Sequence, residues 1–188
     1  MDAFLVSTLV VAVGEIGDKT QLLALLLAAR FRRPVPIILG IFFATVLNHT
    51  LAGLLGEFIR TAISPEVLRW LLGLSFIGIA FWALKPDTLD NEPTSNSVYG
   101  IFALTFVTFF LAEIGDKTQL ATVALAARYS DLVQVVAGTT LGMLIADIPA
   151  VLLGKKAAPK LPLKLIRVIA ATIFAVLGLL ILSGFSVG

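Results

Sequence analysis

A heptapeptide carrying two carboxyl groups, an ammonium, a hydroxyl and a carboxamide occurs twice in this chain. Glu15-Ile16-Gly17-Asp18-Lys19-Thr20-Gln21 returns unchanged as Glu113-Ile114-Gly115-Asp116-Lys117-Thr118-Gln119. Its Glu, Asp and Gln side chains offer hard oxygen donors, the set that suits Ca²⁺ and Mn²⁺. Both copies lie in apolar surroundings, with residues 3–13 before the first and 101–112 before the second. An ionisable group at the centre of a membrane helix costs about 2.5–3.5 kcal/mol on insertion scales. Meeting that cost twice, at the same seven positions, points to residues that are used rather than to charges that only fix helix packing. The candidate metal ligands are Glu15, Asp18, Gln21, Glu113, Asp116 and Gln119. If the copies meet, their four carboxylates and two lysines leave a charge of −2, which one divalent ion neutralises. Once the ion has gone, repulsion and burial favour the protonated carboxyls. Metal and protons then compete for the same oxygens, which is the minimal physics of a cation/proton antiporter.

On a continuous helix turning 100° per residue, Glu15, Asp18 and Gln21 share an arc of about 120°. Lys19 then sits beside Glu15 at the favourable i,i+4 spacing. Lys19 and Lys117 fit two roles equally, compensating the charge of the site or pairing away from it. Thr20 and Thr118 point elsewhere and are expected to face other helices or bond back to a carbonyl. They become hydroxyl ligands only if the helix breaks. Gly14, Gly17 and Gly115 allow close helix approach, or such a break, which would free carbonyl oxygens. Three more polar residues interrupt apolar runs. Asp147 is a candidate supporting group or proton relay, as an intramembrane acid is by default. An unperturbed His titrates near neutrality, which makes His49 a candidate proton carrier, but a lone His is more often a hydrogen-bonded core residue. Asn48 reads as glue between helices.

These residues need elements to position them. The 188 residues are 59% hydrophobic and 14% charged, with a mean hydropathy of +1.02. A soluble domain is about 25% charged. The absence of cysteine excludes disulfides and thiolate sites, and a single His excludes a multi-histidine zinc centre. With a net charge of +2 and no basic, aromatic-laced face, nothing suggests nucleic acid. Residues 1–4 lack the basic start of a signal peptide, so the first apolar run reads as a retained helix.

Six apolar segments span about residues 3–30, 34–59, 67–84, 98–128, 132–154 and 164–183. Crossing the hydrocarbon core takes roughly 20 helical residues. The first and fourth segments exceed that, so tilt, a break or protruding ends are expected. Nine basic residues fall in the first, third and fifth connections or beside them: Arg30, Arg32, Arg33, Lys85, Lys155, Lys156, Lys160, Lys164 and Arg167. Three, Arg60, Arg69 and Arg128, fall on the other side. The positive-inside rule places the nine in the cytoplasm and both termini outside. Residues 85–97 read as an acidic cytoplasmic linker.

A shift of 98 residues superposes more than the motif. It aligns Ala28-Ala29-Arg30 with Ala126-Ala127-Arg128, Gly40 with Gly138, His49 with Asp147, and Phe76 with Phe174. The expected fold is therefore an all-α integral membrane protein. Its six transmembrane helices form two inverted three-helix repeats, 1–84 and 98–188, in one transport domain. An odd number of helices per repeat inverts the second copy, and sites in such proteins lie near the midplane between repeats.

The doubled motif resembles the E-x-G-D-[KR]-[TS] signature of a family of calcium/manganese:proton exchangers. That family includes Golgi cation exchangers, a chloroplast manganese transporter and bacterial manganese exporters of the MneA type. The resemblance covers essentially the whole chain. It implies export of Mn²⁺, or Ca²⁺, from the cytoplasm in exchange for protons. It also implies a core site of Glu15, Asp18, Glu113 and Asp116, with Thr20, Gln21, Thr118 and Gln119 nearby. The compact length resembles the bacterial branch, hence an inner-membrane location. The leading expectation is a Mn²⁺/H⁺ antiporter with the lipid bilayer, the cation and protons as its partners and no resident cofactor. A Ca²⁺/H⁺ exchanger of the same architecture is the alternative. More distant is an intramembrane aspartyl protease pairing Asp18 with Asp116. A passive channel and a purely structural membrane protein are minor alternatives, each ahead of the protease. Six short helices would serve alone or as a homodimer.

Overall fold

A computed structural model describes residues 3–85, 100–153 and 163–184. The linker at 86–97 and the basic residues Lys155, Lys156 and Lys160 lie outside the described residues. Among those described, the chain is all-helical, with eight helices and no strand. They are α1 (Ala3–Glu15), α2 (Lys19–Phe31), α3 (Pro34–Ala62), α4 (Pro65–Ala83), α5 (Gly100–Glu113), α6 (Lys117–Arg128), α7 (Leu132–Leu153) and α8 (Leu163–Leu182). Long apolar runs without alternation fold this way because a helix satisfies its own backbone. Prolines at 34 and 65 open α3 and α4, where the missing N–H would have had no helical partner.

The first and fourth segments are not single helices. Each splits at its motif, α1 from α2 and α5 from α6. Gly17 and Gly115 take φ of +84° and +76°, the left-handed region that glycine enters freely. The next residues, Asp18 and Asp116, are extended and stand at the N-caps of α2 and α6. A backbone bond from each Asp N–H to the preceding Glu carbonyl, 3.0 Å and 3.1 Å, closes each turn. The continuous arc of Glu15, Asp18 and Gln21 therefore does not form. The repeated glycine takes φ positive and removes the helical phase on which that arc depended.

Three helices, α3, α4 and α7, are long and apolar enough to cross a membrane. α1, α5 and Arg167–Leu182 within α8 are shorter apolar helices. Leu5, Leu9, Phe43, Leu51, Phe81 and Leu111 are exposed, while Ser7, Thr45, Asn48, His49 and Asp147 are buried. Apolar side chains outside and polar ones inside reverse the pattern of a water-soluble domain.

The packing exchanges partners between halves. α1 lies on α7 and α5 on α3; α2 touches α7 and α6 touches α3; α4 pairs with α8. Glycines permit the closest contacts. A Cβ at Gly138 would come within 2.5 Å of the Phe4 carbonyl, and one at Gly142 within 2.6 Å of that of Thr8. Gly40, the repeat-mate of Gly138, faces Phe102 and Thr105 of α5, with a Cβ only 2.6 Å from Thr105 Cβ. Numbers rise together along α1 and α7, so these two helices run the same way. In α4 and α8 they run opposite ways: Gly73 faces Leu182 and Gly178, and Phe76 stacks on Phe174 at 6.2 Å. Phe76 and Phe174 are aligned by the 98-residue shift, so two equivalent residues meet each other in the core. The exchange is incomplete. α4 leans on α6 and α8 on α1, whereas the corresponding contacts of α8 with α2 and α4 with α5 are slight at most among the described residues.

Candidate cation site

The two breaks put four helix ends into one buried region. Glu15 and Glu113 are the last residues of α1 and α5, and Lys19 and Lys117 the first of α2 and α6. Glu15, Asp18 and Glu113 have no solvent exposure, and Asp116 is 1% exposed. One oxygen each from Glu15, Glu113 and Asp116 lie within 4.8 Å of one another. Oxygens on opposite sides of a Ca²⁺ ion stand about 4.6–5.2 Å apart, twice the usual bond length of 2.3–2.6 Å. All three carboxylates are thus within reach of a single hard cation.

The remaining contacts show which oxygens are occupied. Thr20 Oγ1 donates to Glu15 Oε2 at 2.6 Å, and Thr118 Oγ1 donates to Glu113 Oε2 at 3.2 Å. The threonines, expected to face away, instead hold the glutamates, because the break swings the start of α2 and α6 back over the ends of α1 and α5. Among the described residues, nothing donates a hydrogen bond to Glu15 Oε1, Glu113 Oε1 or either oxygen of Asp116.

The lysines cross between the motifs. Lys117 donates to Asp18 Oδ1, and Lys19 stands 3.2 Å from Asp116 Oδ1. The expected Glu15–Lys19 contact gives way to this exchange, since the i,i+4 relation requires an unbroken helix. Asp18 is held by Lys117 and is outside the oxygen triad. Three of the four expected carboxylates therefore converge.

The carboxamides serve the breaks. Gln21 Oε1 accepts the Gly17 N–H at 2.9 Å, and Gln119 Oε1 accepts that of Gly115 at 2.7 Å. Their amide nitrogens reach the other half: Gln21 Nε2 donates to the Ala146 carbonyl in α7 at 3.0 Å, and Gln119 Nε2 to Asn48 Oδ1 in α3. Asn48 Nδ2 in turn donates to the Phe110 carbonyl at 3.3 Å, so it does link helices. His49 is buried, but neither ring nitrogen has a hydrogen-bond partner among the described residues, unlike the bonded core histidine expected. Asp147 is buried next to Ala146, and neither of its carboxylate oxygens has a hydrogen-bond partner among the described residues. Sequence reasoning passed over the buried hydroxyls of Ser7, Thr45 and Thr140, which also lack partners among the described residues. Their signal was a hydroxyl inside an apolar helix, too common to single them out.

Comparison with known proteins follows the same lines. A family model described as "Divalent cation/proton antiporter GDT1" matches residues 3–91 and 101–186. A Vibrio cholerae protein named "Putative manganese exporter" is 52% identical over 180 residues, covering 95% of this chain and 90% of its own. A GDT1-like protein of Synechocystis is 30% identical over 194 residues, 93% of each chain. A rice relative, GDT1-like protein 3, is 29% identical over 201 residues, 92% of this chain and 71% of its own. No solved structure matches.

Proposed function

Because the chain belongs to the GDT1 family of divalent cation/proton antiporters, we propose that it exports Mn²⁺ from the cytoplasm against protons through the triad of Glu15, Glu113 and Asp116. It is a transporter, not an enzyme, and the aspartyl protease reading lapses. The observation that carries the proposal is the convergence of carboxylates from both motif copies on one buried point. Oxygens without hydrogen-bond donors are suited to a hard cation when it is present and to protons when it is not. Thr20 and Thr118 orient the glutamates, Gln21 and Gln119 fix the breaks, and Asp147 and His49 are the groups through which protons reach the site. Asn48 supports Gln119.

Six membrane crossings in two inverted repeats fit this reading, each broken pair forming one crossing. The same-direction run of α1 with α7 and the opposed run of α4 and α8 support that topology. The uneven lean of α4 and α8 supports a site open to one side, with rocking of the halves exposing it to the other. Mn²⁺ is preferred to Ca²⁺ on the name of the Vibrio cholerae relative, since the oxygen set accepts both. The nine basic residues of the odd connections orient the chain in an inner membrane with both termini outside.

Proton-driven uptake of Mn²⁺ and of Ca²⁺ into proteoliposomes, measured separately, tests the proposal. Glu15→Gln or Glu113→Gln is expected to lower flux at least tenfold. Wild-type flux in a folded Glu15→Gln/Glu113→Gln double variant would refute the assignment. Faster Ca²⁺ than Mn²⁺ exchange would move the reading to the calcium exchanger.

A further inference from the structure

Two identical motifs stand in different states. Lys117 is buried, its side chain 4% exposed, and is hydrogen-bonded to Asp18. Lys19 is 24% exposed and stands 3.2 Å from Asp116 without hydrogen-bond alignment. The aspartate with the looser lysine, Asp116, is the one in the oxygen triad; the aspartate with the tighter lysine is not. Burial, alignment and triad membership thus all divide the pairs the same way.

We propose that Lys19 is a tethered counter-cation which the arriving divalent ion displaces from Asp116, while Lys117 keeps Asp18 closed, and that the pairs exchange roles when the site turns to the opposite side. This rests on the antiporter reading above. A metal ion bound by Asp116 repels an ammonium 3.2 Å from the same carboxylate. Lys19 has partial exposure and a four-carbon stem, so its ammonium moves toward water while remaining attached. Lys117 has no such exit in this state. When the ion leaves, Lys19 returns and Asp116 is again compensated.

The displacement also selects charge. A monovalent cation replacing an ammonium at Asp116 adds nothing to the neutralisation of the site. A divalent cation adds one charge, which the neighbouring Glu15 and Glu113 reward. Lys19 is therefore a specificity-determining residue that excludes Na⁺ and K⁺ without touching the transported ion.

Two measurements on the purified full chain test this. In the first, amine acetylation is followed by mass spectrometry with and without Mn²⁺, with Mn²⁺ binding measured in parallel. Labelling of Lys19 is expected to rise at least threefold on Mn²⁺ binding, with Lys117 protected. In the second, Mn²⁺ binding to Lys19→Gln is measured across a Na⁺ series. The variant is expected to bind Mn²⁺ at least tenfold more tightly without Na⁺ and, unlike wild type, to be competed by Na⁺. Mn²⁺ binding with unchanged Lys19 labelling overturns the displacement, even if the variant fails to fold. A folded variant that resists Na⁺ as wild type does overturns the selectivity role. No Mn²⁺ or Ca²⁺ binding by wild type overturns both this proposal and the reading beneath it.

Discussion

Each buried glutamate of the candidate site accepts a hydrogen bond from one hydroxyl. Thr20 donates to Oε2 of Glu15, whose Oε1 has no hydrogen-bond partner among the described residues, and Thr118 does the same for Glu113 in the other half. Removing a donor from a buried polar partner costs about 1–3 kcal/mol. Thr20→Val, nearly the same shape, is expected to lower Mn²⁺ flux in proteoliposomes by roughly tenfold, within the range that energy allows. Thr20→Ser should stay close to wild type. Equal flux in the Val and Ser variants would mean that the hydroxyl does not orient Glu15. Gln21 and Gln119 show a different division of labour. They carry the oxygens expected of ligands, but those oxygens are already bonded to the glycine N–H groups of the breaks.

At the scale of the element, the break makes the site. An uninterrupted helix would carry Asp and Lys onward by 100° per residue and present one motif to its own neighbours. Interrupted at glycine, each motif instead offers a glutamate at one helix end and an aspartate and lysine at the next helix start. Gly115 tests the cause cleanly. A Cβ there meets nothing within 4 Å, so Gly115→Ala adds no clash, only an L side chain at φ +76°. Left-handed backbone costs a non-glycine residue about 1–2 kcal/mol. The unfolding midpoint in detergent should fall by roughly 2–8 °C for a chain of this size. An unchanged midpoint would argue against the left-handed turn.

At the scale of the molecule, the lysine–aspartate exchange sets the charge balance. Lys117 offsets Asp18 and Lys19 offsets Asp116, leaving Glu15 and Glu113 as the uncompensated pair. One divalent ion together with the tethered ammonium of Lys19 balances Asp116, Glu15 and Glu113, and without the ion two protons complete the same balance. Exchange of two protons per Mn²⁺ is therefore expected, moving no net charge. Initial flux in proteoliposomes should not change when a K⁺ gradient and valinomycin set the membrane potential. Potential-dependent flux would show that a further proton moves in the cycle, and Asp147→Asn, which removes the one other buried acid among the described residues, would then abolish the dependence.

Much of this was legible in the chain itself. The doubled motif, the six apolar runs and the 98-residue shift pairing Gly40 with Gly138 are patterns along one dimension, set by hydropathy and repetition. They sufficed to name the ionisable residues and to expect that the two copies meet. Tertiary structure decided how they meet. Whether Lys19 turns to Glu15 on its own helix or to Asp116 in the other half depends on where the helix stops and what packs against it. Gly17 permits a stop without requiring one. The unequal state of two identical heptapeptides was beyond the sequence for the same reason: identical residues differ only through their surroundings, and those are set by the helices packed around each copy.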